Sequence, residues 1–520
     1  MPDPDDDVTV KDPMDSPHRD TATLTERRTR AIAAIAANSS TEPPVRGDVP
    51  ALTDDSPVLG LIDLDEVAAA FAQLTAAFEP PATAATDPTA TSDTDPAPTS
   101  DAGPAASADS DPTATDPAVK SGTTVLHAVA CKAVPLLPLL RFYAEAGAGC
   151  EVASPGELEL ALSAGFRPET IVFDSPAKTM SELRRALALG ISVNADSWEE
   201  LARLDELVDD RTTSVIGVRI NPQSGVGAIG AMSTATQTSK FGIGIADPGA
   251  RDALIEAYLA RPWLTQIHVH SGSQGITLDQ AAAGIAAAVD LAREVNTRAG
   301  ARQVTRIDIG GGLPVNFTSD EVTPTFAAYR EVLDVVVPAL NEFDIVTEFG
   351  RSLLAKAGTI LTRVETAKTT GGRHIAMTHA GVQVATRTAY APADWPLRIL
   401  PFDVDGAPKR AEAVPTDVAG PACFAGDLLA ENRDLSRLDV GDLVAVPDTG
   451  AYYFSNPFSY NLLPRVPVYG YRMVATARGV PGSAESENRL GAGVEFSLIR
   501  RGQTIAEILA EAGEPEISRL

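Results

Sequence analysis

From residue 121 onward, short β-branched runs alternate with helical patterns, and this rhythm limits the possible folds more than any other feature of the chain. The runs are TVLHAVA, CEVAS, TIVFD, ISVNA, SVIGVRI, QIHVHSG, RIDIGGG and IVTEFG, eight in all. Helical patterns such as PLLPLLRFYAEAG, PGELELALSAG, AKTMSELRRALALG and SWEELARLDELV lie between them. Eight strands each followed by a helix predict an α/β fold, a closed (β/α)8 barrel. An open doubly wound sheet is the alternative, because periodicity does not prove closure. After Arg351 the rhythm changes. GTILTRVETAKTT, RHIAMTHAG, DVAGPAC, DLVAVPDTGAYYF and VPVYGYRMVATA follow with few helices between them, which predicts a second, mainly β domain.

The segment before the barrel divides by composition. Residues 1–49 are charged and Pro-rich and read as a mostly disordered acidic tail, with a short Ala-rich helical stretch near 26–37. Residues 50–78 carry a short strand and an amphipathic helix capped by Asp63 or Asp65. Residues 79–120 are almost wholly Pro, Ala, Thr, Ser and Asp, with DPTAT occurring twice, and read as a flexible low-complexity insert. The barrel is then 121–355 and the β domain 356–520.

The 520 residues carry a formal net charge of −28, which opposes nucleic-acid binding. No apolar run is long enough to cross a bilayer, so no membrane association is expected. The acidic N-terminus lacks the pattern of a secretory signal, which predicts a cytoplasmic protein. Cys131, Cys150 and Cys423 have neither a disulfide framework nor metal-ligand spacing.

Chemistry in such a barrel sits at the C-terminal ends of the strands. There the sequence places Lys132, Glu151 with Ser154, Arg219 with Asn221, His268 and His270 with Ser273 and Gln274, Gly310–Gly312, and Glu348 with Arg351. Singly these have bland readings: a solvated lysine, a turn, a packed histidine. The HxH pair faces one side of its strand, as two metal ligands would, but no third ligand is evident. Together they fit one cofactor. A triglycine leaves backbone N–H groups free for a phosphate, and Arg351 adds charge. A lysine forms a Schiff base, a carboxylate keeps a pyridine nitrogen protonated, and an imidazole stacks on the ring. The cofactor these groups describe is pyridoxal 5′-phosphate.

ACKAVP, EVASPGELELAL, HVHSGSQ, GGG, EFGR, GPACFAGDLL and DTGAYYF occur in that order across roughly residues 56–475. Through them the chain resembles the fold-type III pyridoxal-phosphate decarboxylases, the diaminopimelate, ornithine and arginine decarboxylase family, and looks closest to the diaminopimelate branch. The resemblance implies an alanine-racemase-like barrel joined to a β domain, and decarboxylation at an α-carbon of a small amino-acid substrate. It implies Lys132 as Schiff-base lysine, His270 stacked on the ring, and Ser273 and Gly310, Gly311 and Gly312 around the phosphate. It also implies Glu348 at the pyridine nitrogen and Arg351 at phosphate or carboxylate, with Arg219 and Tyr452 in the cofactor site. A homodimer is implied, with Cys423 reaching the neighbour's barrel as a candidate for handling the α-proton. Residues 56–62 would join the β domain.

The departures bear on substrate. Where the diaminopimelate branch follows its cysteine with Glu-Ser, which bind the distal amine, this chain has Phe424 and Ala425. His379 stands where Asp is usual. Arg387, with Tyr390 near it, keeps the position that binds a distal carboxylate. The expected substrate site is therefore Arg351, Arg387, Tyr390 and Phe424, unless Asp427 or Glu431 takes over the ammonium. The alternatives are decarboxylation of another amino-acid-like precursor in secondary metabolism, or a homologue that binds the cofactor without catalysis. The latter would be expected to lose the lysine or the phosphate motif, and both are present.

Overall fold

The computed structural model describes residues 22–41, 47–79, 123–474 and 493–513. The predicted insert lies outside these residues except for Glu79. All eight predicted barrel strands form: β2 (Val125–Ala130), β3 (Gly149–Val152), β4 (Ile171–Phe173), β5 (Ser192–Ala195), β6 (Ile216–Asn221), β8 (Leu264–Val269), β9 (Arg306–Asp308) and β10 (Asp344–Thr347). The two-residue β7 (Ile243–Gly244) adds to β6, and β1 (Val58–Asp63) belongs to the second domain. Pairing runs in parallel from β2 through β5, β5 pairs β6, and β10 returns to β2, so the sheet closes. The open-sheet alternative is excluded.

The inward positions follow the two-residue period of a strand. Low in the barrel they are apolar, with Leu126, Ala128, Val172 and Val346 packed together. Further along these strands stand Lys132, Asp174 and Glu348. In register across three neighbouring strands, Arg219 lies beside His268 and His268 beside Asp308. The upper part of the interior is thus a charged layer.

The last barrel strand is followed only by a four-residue helix, Arg351–Leu354. The place of an eighth helix is taken by α2 (Leu64–Phe78), after α1 (Leu24–Ser39) the second helix in the chain. Asp63 caps α2 by accepting from the N–H groups of Asp65 and Glu66, as predicted. Val67, Phe71, Leu74 and Phe78 recur at helical spacing and are buried. Phe71 meets Tyr143 of the first barrel helix edge-on at 5.4 Å, and Phe78 lies under the Arg330 guanidinium of the seventh at 5.5 Å.

The β domain is a nine-stranded sheet built on the long β11 (Gly358–Thr370). β12 (Arg373–Thr378), β13 (Leu400–Phe402), β14 (Ala413–Ala419), β15 (Leu428–Ser436), β16 (Leu443–Pro447), β17 (Val468–Met473) and β18 (Val494–Arg500) complete it with β1. β1 pairs antiparallel with β11 and parallel with β17, so residues 58–62 join this domain as expected.

The reading of 1–49 as a mostly disordered tail needs correction over α1. Thr23 and Glu26 form a capping box, and Ala31, Ile32, Ile35 and Ala36 pack against Leu59, Leu61, Leu361, Phe402 and Tyr471. Arg28 is 2% exposed and pairs with Asp320. The helix is longer than its Ala-rich centre suggested: the capping box orders its start, and near its end the Asn38 amide donates to the Val49 carbonyl at 2.7 Å.

His127 points outward from β2 into the α2 interface, edge-on to Phe71 and Phe78, with Nδ1 2.9 Å from Thr347 Oγ1. Burial pushes its pKa down to about 4. The unfolded chain, at about 6.5, therefore binds a proton that the native state refuses. The stability is complete above about pH 6.5 and is lost as pH falls toward 4, up to roughly 3 kcal/mol. His127→Gln should lower the acid sensitivity of the melting temperature between pH 7 and 4.5; equal pH dependence in both proteins would refute the assignment.

Candidate active site

Lys132 lies in a 3₁₀ turn, Cys131–Ala133, directly after β2. β2–β3 register sets Ala130 beside Glu151, and Lys132 Nζ contacts Glu151 Oε2 at 2.5 Å. The lysine side chain is 45% exposed, opening to the barrel mouth, whereas Glu151 is fully buried. Desolvation works against the ammonium, but Glu151, Tyr452 and Glu348 outweigh it and hold the lysine above its ordinary pKa.

The β domain fixes this turn. Tyr452 N–H and Ser455 Oγ donate to the Ala133 carbonyl at 3.2 and 3.1 Å, and Asn456 Nδ2 donates to the Lys132 carbonyl at 3.1 Å. Tyr452 adopts φ 66°, an unfavourable conformation for a bulky residue that persists only where surroundings impose it.

His270 accepts at Nδ1 from the Gly311 N–H at 3.0 Å. Burial, with Arg219 and Lys132 nearby, pushes its pKa well below the ordinary histidine value, so the ring is neutral. Gly310 and Gly312 have φ of 65° and 103°. A Cβ on Gly311 would strike the Glu348 carbonyl, and one on Gly312 the Gly272 carbonyl. Ser273 Oγ accepts from Arg351 Nη2 at 3.5 Å.

Arg351 and Arg387 share two aromatic neighbours. Their Cζ atoms lie 4.7 and 4.5 Å from the Tyr452 ring centre and 4.8 and 5.1 Å from that of Trp395. Burial pushes the Arg351 pKa down to about 10, with Arg387 adding to the effect. Nε and Nη1 of Arg351, Nη1 of Arg387 and Oε1 of Glu348 are buried without a hydrogen-bond partner. Orphaned buried donors of this kind are costly unless a ligand satisfies them. An anion beside the arginines, a protonated nitrogen beside Glu348, and a phosphate against the glycine backbone would do so. The residues present therefore fit pyridoxal phosphate.

Other expected residues sit differently. Arg219 is 6% exposed, its Nη1 3.3 Å from Asp174 and 3.8 Å from Asp196, and its face covers the Phe241 ring. Its charge is matched by these carboxylates. Cys423 is exposed, with its N–H donating to Asn461 Oδ1, and is not brought to Lys132 within the chain. Phe424 stacks on Tyr390 at 5.5 Å and 11°, and Tyr390 is 56% exposed. Phe458 and Tyr460 extend this aromatic face. Asp427 is not available for a substrate ammonium: its carboxylate is buried and accepts from the N–H groups of Val382 and Ala422 at 2.6 Å. His379 lies 3.6 Å from Glu365.

Three groups received no role from sequence. Asp174 directly follows the third barrel strand, the position rule used for the others, and could have been found by it. His268 shares the inward face with His270, but its carboxylate neighbours come from distant strands. Trp395 carries no sequence signal.

A parallel barrel with a lysine, a carboxylate, a neutral imidazole and a triglycine converging at its mouth defines a pyridoxal-phosphate enzyme. Residues 117–355 match the family described as pyridoxal-dependent decarboxylase, pyridoxal binding domain. Diaminopimelate decarboxylase of Streptomyces coelicolor is 32% identical over 400 residues, 74% of this chain and 83% of that protein. L-glutamyl-[BtrI acyl-carrier protein] decarboxylase of Niallia circulans is 30% identical over 78% of this chain and 90% of its own length. The crystal structure of diaminopimelate decarboxylase from M. jannaschii in co-complex with L-lysine shares the fold at TM-score 0.67, with 23% identity, over 88% of this chain and 92% of that one. The chain belongs to the pyridoxal-dependent decarboxylases, on the diaminopimelate decarboxylase branch. It is a pyridoxal-phosphate-dependent amino acid decarboxylase, a carboxy-lyase. Among the described residues no helix is long and apolar enough to cross a membrane.

Gly311→Ala should fold but lose much of its bound cofactor, because the new methyl displaces the Glu348 backbone. Overpacking of this kind costs about 1–3 kcal/mol. The ratio of cofactor absorbance to protein in the purified variant is the measurement, and an unchanged ratio would count against the cradle.

Proposed function

We propose that this enzyme removes the α-carboxylate of an amino acid whose far end carries a carboxylate or acyl group, with no second amine bound in the manner of a diaminopimelate decarboxylase. The observation that carries this reading is the Arg351–Arg387 pair, in which Nε and Nη1 of Arg351 and Nη1 of Arg387 are buried without partners, in a chain whose cysteine motif offers Phe424 in place of a carboxylate.

The chemistry that bound pyridoxal phosphate would supply is an electron sink for the charge left at the α-carbon by loss of carbon dioxide. Lys132 supplies the amine for covalent attachment, with Glu151 beside it to take up the proton the ammonium must first lose. His270, neutral and fixed by Gly311, offers its flat face to the ring. Glu348 accepts at the ring nitrogen. Gly310, Gly311, Gly312 and Ser273 surround the phosphate. Arg351 holds the phosphate or the α-carboxylate side of the substrate, Arg387 holds the distal acceptor group, and Tyr452 backs both guanidiniums.

A charge-assisted hydrogen bond contributes about 1.5–3 kcal/mol, roughly ten- to a hundredfold in kcat/KM. Phe424→Glu/Ala425→Ser should therefore raise kcat/KM for meso-diaminopimelate by roughly that factor, while the wild type favours monoamino dicarboxylates. Efficient turnover of diaminopimelate by the wild type, with no gain in the double variant, would end this reading. The Niallia relative supports a second one, since an L-glutamyl group on an acyl-carrier protein also lacks a second amine. Free L-glutamate and a glutamyl carrier protein, assayed side by side for carbon dioxide release, separate the two.

The exposed Cys423 and the aromatic face of Tyr390, Phe424, Phe458 and Tyr460 support a homodimer in which Cys423 of one copy returns the proton to the α-carbon at Lys132 of the other. Lys132→Ala and Cys423→Ala, each inactive alone, should regain activity when their subunits are exchanged. No recovery after verified exchange would remove the shared site.

A further inference from the structure

Beneath the candidate cofactor position lies a buried triad that the reaction scheme above leaves without a task. His268 is fully buried, with Nδ1 3.2 Å from Asp174 Oδ1 and Nε2 3.6 Å from Glu348 Oε2. One ring nitrogen of His268 and one oxygen from each of Asp174 and Glu348 lie within 4.8 Å of one another. Asp174 is flanked on its other oxygen by Arg219. Asp308 stands in register beside His268, Glu151, Lys132 and Asp196 complete the surrounding charge, and the neutral His270 lies nearby. Neither contact of His268 is aligned as a hydrogen bond, which is common at catalytic sites before the reacting complex tightens them.

Proton counting gives the triad its meaning. An imidazole that presents Nδ1–H to Asp174 presents a lone pair at Nε2. That lone pair faces a carboxylate oxygen, also an acceptor, so the contact is repulsive unless one more proton lies between Nε2 and Oε2. If that proton stays on Glu348, the carboxyl is neutral and a poor partner for a protonated pyridine. If it moves to Nε2, Glu348 is ionised and its free Oε1 is an acceptor. Burial and the carboxylates of Asp308, Asp174 and Glu151 push Glu348 well above its ordinary pKa, which favours the first state. Asp174 works the other way. Burial raises its pKa, but His268 and Arg219 outweigh burial and hold it well below the carboxylate range, so its full negative charge rests against Nδ1.

We propose that His268, oriented by Asp174, is a positioning residue that takes the proton Glu348 would otherwise hold, leaving Glu348 an ionised acceptor for the ring nitrogen of the cofactor. The step breaks the Glu348 O–H bond and forms His268 Nε2–H, with no change in electron count. It rests on the assignment of Glu348 to the ring nitrogen made above.

The test loads the holoenzyme with cofactor carrying 15N at the ring nitrogen and reads its protonation by solid-state NMR. Wild type should show the protonated-ring signal. His268→Phe and Asp174→Asn should shift it toward the neutral-ring position, with kcat falling roughly tenfold or more, in the range typical of lost outer partners, and KM little changed. Glu348→Gln is the control. If Glu348→Gln keeps the protonated signal, the assignment of Glu348 fails. If Glu348→Gln loses it while His268→Phe binds a full complement of cofactor and keeps it, the proposal about His268 is overturned. Should His268→Phe not fold, His268→Gln answers the same question, because its amide fills the space and cannot take the proton.

Discussion

The structure depends on what a closed parallel barrel does to side chains that alternate along its strands. Every second residue is forced into one small interior, and here that interior changes character with height. Ala128, Val172 and Val346 fill the lower part with apolar volume. One step up, Arg219, His268 and Asp308 stand side by side on adjacent strands. The buried groups of this layer cannot exchange charge with solvent, so each is defined by its neighbours: Arg219 by Asp174 and Asp196, Glu151 by Lys132 above it. The chemistry at the mouth is built on this foundation of mutually compensating charges.

The mouth itself is completed from outside the barrel. The loop that carries Tyr452 holds the Lys132 turn through backbone carbonyls, so the lysine is placed by the β domain as much as by its own strand. That loop begins at Asp448, at φ 63°, which is paired with Arg398 and Lys356. Arg398 also pairs with Asp320, and Asp320 with Arg28 of α1. A chain of alternating charges thus runs from the N-terminal helix, through the segment that follows the triglycine, to the loop whose Tyr452 ring lies against Arg351 and Arg387. Because these pairs are largely buried, losing one partner leaves an uncompensated charge, which is more damaging than the net value of the pair.

The eight barrel strands were legible because fully buried parallel strands are short, β-branched and separated by helices of regular length. The strand-end residues were legible for the same reason, since chemistry in such barrels collects at one rim. Lys132, His270, the glycines, Glu348 and Arg351 all came from that rule. Residues whose meaning depends on distant partners were not legible. His268 is one letter in a strand until register brings Asp174 and Glu348 beside it. Trp395 acts only because a loop of the β domain lays it over two arginines. Asp427 looked like a free carboxylate and is instead enclosed by the backbone of Gly381 and Gly420. The extent of α1 was missed because its order comes from Asp320 and the β sheet, not from its own composition.

The substitution of α2 for a missing eighth helix carries a consequence for how this protein is made. Residues 58–78 are synthesised before any barrel strand, yet β1 needs β11 and β17, and α2 needs the helices at both ends of the barrel. This early segment must therefore wait for almost the whole chain before it can settle. Contacts of such long sequence separation slow folding. Until they form, the apolar stripe of α2 and the seam it covers stay open to other molecules. The arrangement makes completion of the barrel wall a late, chain-spanning event, and makes the nascent chain more exposed to premature association than the finished enzyme.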